Sequence, residues 1–351
     1  MFDRSPMVAI WEVTRACDLC CVHCRASAMP SRDPRELSTE QALNLIDQLR
    51  DLEPGVLVLT GGDPLKRPDL FELIGVAVRA GLTVAITPSV TPLLTAAAID
   101  RLAAAGISRI ALSLDGPDPA THDVFRGTPG AYQATLDAVA AVRAVGLPLQ
   151  INTSLSRRTI DTLPAMARLV TEIAPALWSV FFVVPVGRAA LAQQLDAATC
   201  EQVFNFLADW TASTGLPVKT TAAQAYRRVL LQRAKDHVHP GEGRPRPPAV
   251  NEGKGFVFVS HTGEVYPSGF LPISAGNIRR TPLAEIYRNS ALFRALRDAD
   301  RLEGKCGRCE FRVVCGGSRA RAYAVSGNAF AEDPACAYQP PVRCDSRRSA
   351  A

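Results

Sequence analysis

Short apolar, β-branched runs alternate with longer amphipathic stretches through roughly the first 220 residues. The runs that read as strands are VAIWEVT (8–14), VLVLT (56–60), LTVAITP (82–88), SRIALSL (108–114), LPLQINTSL (147–155) and LWSVFFVVP (177–185). Between them, helical periodicity covers residues near 38–51, 69–80, 95–105, 131–145, 159–174 and 199–213. Ser38 followed three positions later by Gln41 predicts a capping box at the first helix. Gly146 and Gly215 fall just past helical stretches, where a left-handed residue ends a helix. Strand and helix in alternation imply parallel strands, because only a crossover returns the chain to the same edge. Periodicity admits a doubly wound sheet and a partial βα barrel equally.

The character changes after residue 235. HPGEGRPRPPAVNEGKG (239–255) is rich in proline, glycine and charge and reads as a linker. FVFVSHTGEVYPSG then predicts a hairpin turning at Thr262-Gly263, with two short helices near 282–289 and 291–298. The remaining chain has little periodicity and is expected to fold around metal rather than a large core. This divides the chain into a barrel (1–235), a linker (236–255) and a small cysteine-rich domain (256–351).

Bulk composition narrows the function classes. The chain has 351 residues, 47% hydrophobic and 21% charged, with a net charge of +5. No basic, aromatic-interleaved stripe supports nucleic-acid binding, and no apolar run is long enough to cross a bilayer. Strand-like sequence begins almost at the N-terminus, leaving no room for a signal peptide, so a cytoplasmic location is expected. In that compartment, ten cysteines point to metal or redox chemistry rather than disulfides. Two groups stand out, Cys17–Cys24 and Cys306–Cys336, and they suggest two metal sites. Cys200 reads as a core residue, and Cys344 lies in the tail. His237, His239 and His261 read as surface residues.

The segment TRACDLCCVHCRA offers Cys17, Cys20, Cys21 and Cys24 directly after the first strand. Two C-x2-C pairs could make a zinc knuckle, although adjacent Cys20 and Cys21 would strain it. The other grouping is C-x3-C-x2-C through Cys17, Cys21 and Cys24, with Cys20 a spacer. It resembles the motif of the radical S-adenosylmethionine (SAM) superfamily, with His23 where that family usually has an aromatic residue. The resemblance implies a partial (βα)6 TIM-like barrel whose three thiolates bind a [4Fe–4S] cluster with one open iron. SAM chelates that iron, and one electron from the cluster releases methionine and a 5′-deoxyadenosyl radical, which abstracts hydrogen from substrate.

Further segments extend the resemblance. TGGDPL after the second strand is similar to the family's GGEP segment, which implies Gly61, Gly62, Asp63 and Pro64 near the SAM amino group. Asp63 stands where Glu is commoner. LSLDG resembles a motif near the SAM ribose and carboxylate, implicating Ser113, Asp115 and Arg126. Asn152 lies at the end of the fifth strand, where βα-barrel ligands bind. VVPVGRA is similar to the family's adenine-contacting segment, implicating Val184 to Gly187, with Arg188 as much a surface charge as a contact.

Cys306, Cys309 and Cys315 read C-x2-C-x5-C, and Cys336 follows. Spacing alone leaves zinc and iron–sulfur open. Next to a radical SAM core the set resembles the SPASM/twitch extension, implying one auxiliary [4Fe–4S] cluster. Ser268 and Arg319 stand where cysteines of that extension would be. The run CGGSRARAY is most similar to enzymes that modify heme propionates or d-type heme precursors, although Ser318 replaces a cysteine. A tetrapyrrole or other carboxylate-bearing substrate is therefore expected, with Arg319, Arg321, Arg227 and Arg228 as candidate carboxylate partners. Flavodoxin or ferredoxin would supply electrons. The rivals are a maturase of ribosomally made peptides and, from another class, a non-catalytic zinc or iron–sulfur protein.

Overall fold

A computed structural model describes residues 2–236 and 249–341. The central part of the linker with His237 and His239, and the tail with Cys344, lie outside the described residues. The barrel elements are β1 (Val8–Thr14), α1 (Thr39–Leu52), β2 (Val56–Gly61), α2 (Leu70–Arg79), β3 (Val84–Ile86), α3 (Ala96–Ala104), β4 (Arg109–Ser113), α4 (Pro119–Arg126) and α5 (Ala131–Ala144). There follow β5 (Leu149–Leu155), α6 (Leu163–Ile173), β6 (Leu177–Phe182), α7 (Ala197–Thr214), β7 (Val218–Thr221) and α8 (Ala225–Asp236). The remaining part contributes β8 (Phe256–Val259), β9 (Glu264–Tyr266), β10 (Gly276–Asn277), α9 (Leu283–Asn289), α10 (Ala291–Arg297), α11 (Gly304–Arg308) and α12 (Arg319–Ser326).

All ten strands join one sheet in the order β10-β9-β8-β1-β2-β3-β4-β5-β6-β7. β1 to β7 pair in parallel, as the helical crossovers require. β8 adds to the free side of β1 in parallel, with Val8 opposite Phe256, and turns back through the hairpin as β9. β7 and β10 are the two edges, so the barrel is open and partial.

Alternation along each strand divides its side chains between two environments. Ala9, Trp11 and Val13 of β1 pack into the helix-facing core with Leu45, Leu49 and Leu52 of α1. Val8 and Ile10 face a central cavity. Truncating one of these buried leucines to alanine would cost about 2–5 kcal/mol. The predicted capping box is present: Gln41 N–H donates to Ser38 Oγ (3.2 Å) and Ser38 N–H to Gln41 Oε1 (3.1 Å).

Within the barrel, three elements go beyond the pattern read from the sequence, and β10, α11 and α12 do so in the C-terminal part. α4 begins after Asp118, whose carboxylate accepts from Thr121 N–H, with Pro119 in the first turn. β7 adds a seventh strand to the six expected of the barrel, followed by α8, and with β8 on the far side of β1 the parallel array has eight strands. His261, expected on the surface, is buried. Its Nδ1 lies 2.8 Å from Glu12 Oε1 and its Nε2 lies 3.4 Å from Asp33 Oδ2. No helix among the described residues is long and apolar enough to cross a membrane.

Candidate functional site

The cysteine loop leaves the C-terminal end of β1 and is held on several sides by backbone. Cys17 N–H donates to Met29 O (2.8 Å), Met29 N–H to Arg15 O (3.0 Å), and Val22 N–H to Phe125 O (3.1 Å). Asp63 N–H donates to Ala16 O (2.7 Å) and Gly62 N–H to Thr14 O (2.9 Å). The glycines after β2 make that approach possible. A Cβ on Gly61 would lie 2.4 Å from Thr14 O, and one on Gly62 would lie 2.4 Å from Ala16 O.

The other side of the loop is clasped by the segment after β6. Gly187 has φ +63°, and a Cβ there would meet Arg25 O at 2.3 Å and Cys24 O at 2.4 Å. Arg188 N–H donates to Cys24 O (3.0 Å), and its Nε donates to Cys21 O (3.0 Å). Arg188 is thus a brace on the loop, which the sequence alone did not distinguish from a surface charge.

Cys17, Cys21 and Cys24 are free thiols, and all three line the central cavity. Each sulfur has a donor aimed at it: Leu19 N–H to Cys17 Sγ (3.4 Å), Ala28 N–H to Cys24 Sγ (3.4 Å) and Arg126 Nη1 to Cys21 Sγ (3.7 Å). Burial pushes the Cys17 and Cys21 thiols up. Bound iron reverses that preference, because coordination deprotonates a thiol outright. Three soft ligands with supporting donors fit an iron–sulfur cluster. Cys20 points elsewhere and is exposed, as a spacer would be. His23 stacks on Phe125 with centroids 4.0 Å apart, and burial draws it down to about 4, so it is neutral near pH 7.

The cavity, about 890 Å³, runs the length of the barrel interior. Gly61, Gly62, Ser113, Arg126, Asn152 and Val184 share its wall with the three thiols. The other residues singled out in the sequence stand behind the wall. Asp63 is fully buried, accepting from Leu65 N–H (3.1 Å) and Thr91 Oγ1 (2.7 Å), and burial raises its carboxyl. Pro64 opens a single 3-10 turn after it. Asp115 accepts from Ser154 N–H (2.6 Å) and pairs with Arg126 at 2.5 Å. Burial alone would raise the Asp115 carboxyl, but Arg126 beside it wins and holds it low. Asp115 and Gly187 therefore act on the wall through Arg126 and the cysteine loop.

A buried acid below the loop ties the two ends of the chain together. Glu12 on β1 receives Arg25 Nη2 (2.7 Å) and Arg15 Nε (3.1 Å) besides His261 of the hairpin. Burial would raise this carboxyl, but Arg25, His261 and Arg15 together draw it down to about 2.

The second cysteine group closes around a cavity of about 20 Å³ lined by Cys306, Cys309, Cys315 and Cys336. Gly317 N–H donates to Cys315 Sγ and Asp333 N–H to Cys306 Sγ, both at 3.4 Å, and Arg319 Nη2 lies 3.7 Å from Cys306 Sγ. Burial pushes Cys315 up to about 12, and it raises Cys309 and Cys336 too. Four thiols, each reached by a backbone N–H, suit an iron–sulfur cluster by their donor chemistry, although no three of them among the described residues are spaced to hold a single metal ion.

Three of the four candidate carboxylate partners do not serve. Arg319 is buried and donates to Ala329 O (3.0 Å) and Ala331 O (2.7 Å), and Arg321 is buried beside Asp333 (3.4 Å). Both hold the C-terminal fold together. Arg228 is paired with Glu201. Arg227 alone of the four lines the central cavity.

Comparison with known proteins agrees with this architecture. Residues 11–170 match the model of the radical SAM superfamily, and residues 251–310 match the SPASM iron–sulfur cluster-binding domain. The chain is 42% identical to the AdoMet-dependent heme synthase of Nitratidesulfovibrio vulgaris, covering 96% of this chain and 94% of that protein. It is 29% identical to the Fe-coproporphyrin III synthase of Methanosarcina barkeri, covering 95% and 88%. Among solved structures, Streptococcus suis SuiB bound to S-adenosylmethionine superposes with a TM-score of 0.73 at 15% identity, over 95% of this chain and 78% of that one. With a cysteine loop after β1, an open βα barrel behind it and a second cysteine site beyond, the chain is an enzyme that belongs to the radical SAM superfamily and carries a SPASM domain.

Proposed function

We propose that this enzyme takes a hydrogen atom from a side chain of a carboxylate-bearing, heme-type tetrapyrrole, using two [4Fe–4S] clusters and SAM. The observation that carries the reading is the meeting of the three-thiol loop and the SAM-type positions on one cavity. Its volume lies within the usual range for small-molecule sites. The tetrapyrrole is supported by the 42% identity with a heme synthase over nearly the whole chain.

Cys17, Cys21 and Cys24 hold the first cluster, which supplies the single electron that opens a carbon–sulfur bond of bound SAM. Gly61 and Gly62 bring bare backbone to the SAM amino group, and Ser113 and Asn152 offer polar atoms to its ribose. Val184 gives the adenine an apolar contact. Arg126, fixed by Asp115, brings positive charge beside Cys21 and the SAM carboxylate. Asp63, Pro64 and Gly187 keep these groups in place. Cys306, Cys309, Cys315 and Cys336 hold the second cluster, whose complete thiolate set suits electron transfer. A flavodoxin or ferredoxin is the electron donor.

The test is anaerobic reconstitution, with iron, sulfide and zinc counted and deoxyadenosine followed under dithionite. About eight irons per chain, with deoxyadenosine formed as a tetrapyrrole side chain loses its carboxylate or is oxidised, is the expected result. Zinc without SAM cleavage overturns it. Deoxyadenosine that responds to a peptide and not to a tetrapyrrole reassigns the substrate.

A further inference from the structure

The charge on the cavity wall is lopsided. Among its described lining residues, Arg25, Arg109, Arg126, Lys219 and Arg227 are basic, and Glu252 is the single carboxylate. Arg25 is paired with Glu12 and Arg126 with Asp115. Arg109, Lys219 and Arg227 have no ion pair among the described residues. Glu252 is engaged by Gln224 Nε2 (3.1 Å), Ser318 Oγ (3.2 Å) and Arg319 N–H (3.3 Å), although its charge reaches Arg227. Arg227 itself donates to Val314 O (3.1 Å) and to Val250 O.

Lys219 is different. It is the second residue of β7, exposed to the cavity it lines, and its amine has no hydrogen-bond partner among the described residues. Protein surrounds it closely enough that desolvation lowers its pKa, and the charges of Arg109 and Arg227 lower it further. On the next strand, Ser179 is its register partner. The Ser179 hydroxyl is fully buried on the cavity wall with no hydrogen-bond partner among the described residues. A buried hydroxyl left unsatisfied costs about 1–3 kcal/mol, so this one gains from any acceptor that reaches it. The row continues from Ser179 to Asn152 and then to Ser113 on β5 and β4. Arg109 approaches the same row through Gln150, with Nη1 3.4 Å from Gln150 Oε1, and Gln150 Nε2 donates to Asn152 Oδ1 (2.7 Å).

We propose that Lys219 and the Ser179 hydroxyl, with Arg109 in support, form an anion subsite that takes a side-chain carboxylate of the substrate. The subsite rests on the tetrapyrrole reading above and gives it an anchor point. A carboxylate accepts from an ammonium and a hydroxyl at once, and three cations with no ion pair among the described residues attract an anion to this wall. The polar row places this anchor two strands from Asn152 and three from Ser113, the groups assigned to SAM. One carboxylate of a polycarboxylate ring would be held here while the reacting side chain faces SAM. The SAM carboxylate is the other possible source of the anion, and the experiment separates the two.

The experiment uses full-length, anaerobically reconstituted enzyme, with wild type, Lys219→Met and Lys219→Arg compared. Fe-coproporphyrin III, a tetracarboxylate, and its tetramethyl ester are titrated by visible absorbance, and SAM by calorimetry. Iron content shows that each variant is loaded. Lys219→Met should weaken the acid at least tenfold, the expected loss of one charge-assisted hydrogen bond. Lys219→Arg should retain most of the affinity, and the ester should bind the three proteins alike. SAM affinity should stay within twofold. Equal weakening of acid and ester, or no weakening of either, overturns the subsite. Weakened SAM with an unaffected acid assigns the charge to SAM and also overturns it. If wild type fails to bind the tetrapyrrole at all, the tetrapyrrole reading falls and takes the subsite with it.

Discussion

Gly187→Ala isolates what the segment after β6 does for the cysteine loop. The substitution has two separable costs. Alanine at φ +63° carries the left-handed penalty of about 1–2 kcal/mol. The added Cβ would also lie 2.3 Å from Arg25 O and 2.4 Å from Cys24 O, about 1 Å inside normal contact. Those are backbone atoms, which cannot rotate aside, so the chain carrying Cys24 must move. Overpacking of this kind costs about 1–3 kcal/mol, making the total about 2–5 kcal/mol. Gly215→Ala is the control: its φ is +71°, but nothing lies within 4 Å of the new Cβ. It carries the first cost alone. SAM affinity by calorimetry and deoxyadenosine formation should both fall at least about tenfold in Gly187→Ala, since a misplacement near 1 Å is enough to slow a reaction about a hundredfold. Gly215→Ala should match wild type in both. The reasoning is refuted if Gly187→Ala binds and cleaves SAM as wild type does, or if the two alanine variants are equally impaired.

Replacing Cys17, Cys21 or Cys24 by Ala should abolish SAM cleavage and remove about four irons per chain; wild-type cleavage by any of the three ends that ligand assignment. Cys309→Ala should remove a similar amount of iron while leaving SAM binding in place, whereas loss of zinc instead would make the second site a zinc site. Glu12→Gln should destabilise the fold at pH 7 by about 3 kcal/mol, from a carboxyl held near 2 against its ordinary 4.5. The sign follows from the lowered pKa: the contribution is complete above about pH 4.5 and is lost as pH falls through about 2. Thermal midpoints of wild type and variant should therefore converge on acidification, and a gap independent of pH would remove the ion pairs as the cause.

The barrel was legible because each strand is apolar on its helix-facing side and each helix has one buried face. What escaped notice has physical reasons. β7 reads Val-Lys-Thr-Thr because it is an edge strand with a cavity on one side, so it lacks the apolar density of β1 or β6. α4 is eight residues long, too short for periodicity to register, although Asp118 followed by Pro119 is a start signal that could have found it. His261 sits in a turn whose sequence looks solvent-exposed, and its partners Glu12 and Asp33 come from the opposite end of the chain. Arg319 and Arg321 looked like anion ligands because nothing local reveals that the second cysteine site folds over them. The cysteines proposed as cluster ligands, by contrast, sit close together along the chain. Three thiols on an eight-residue loop declare themselves, whereas Lys219 and Ser179 acquire meaning only when β6 and β7 are laid side by side.

β1 pairs with β2 on one side and with β8 on the other, strands that begin 48 and 248 positions later than Val8. During synthesis, one edge of the first strand therefore stays bare until residues near 260 have left the ribosome. A bare parallel edge is a template for mispairing, and the loop that carries Cys17 hangs from it. The hairpin also delivers His261 to Glu12, so the acid that fixes Arg25 beside the loop gains its last partner at the same late moment. The scaffold around the first cysteine loop is thereby tied to completion of nearly the whole chain, and a chain interrupted before β8 would present its thiols on an unfinished support.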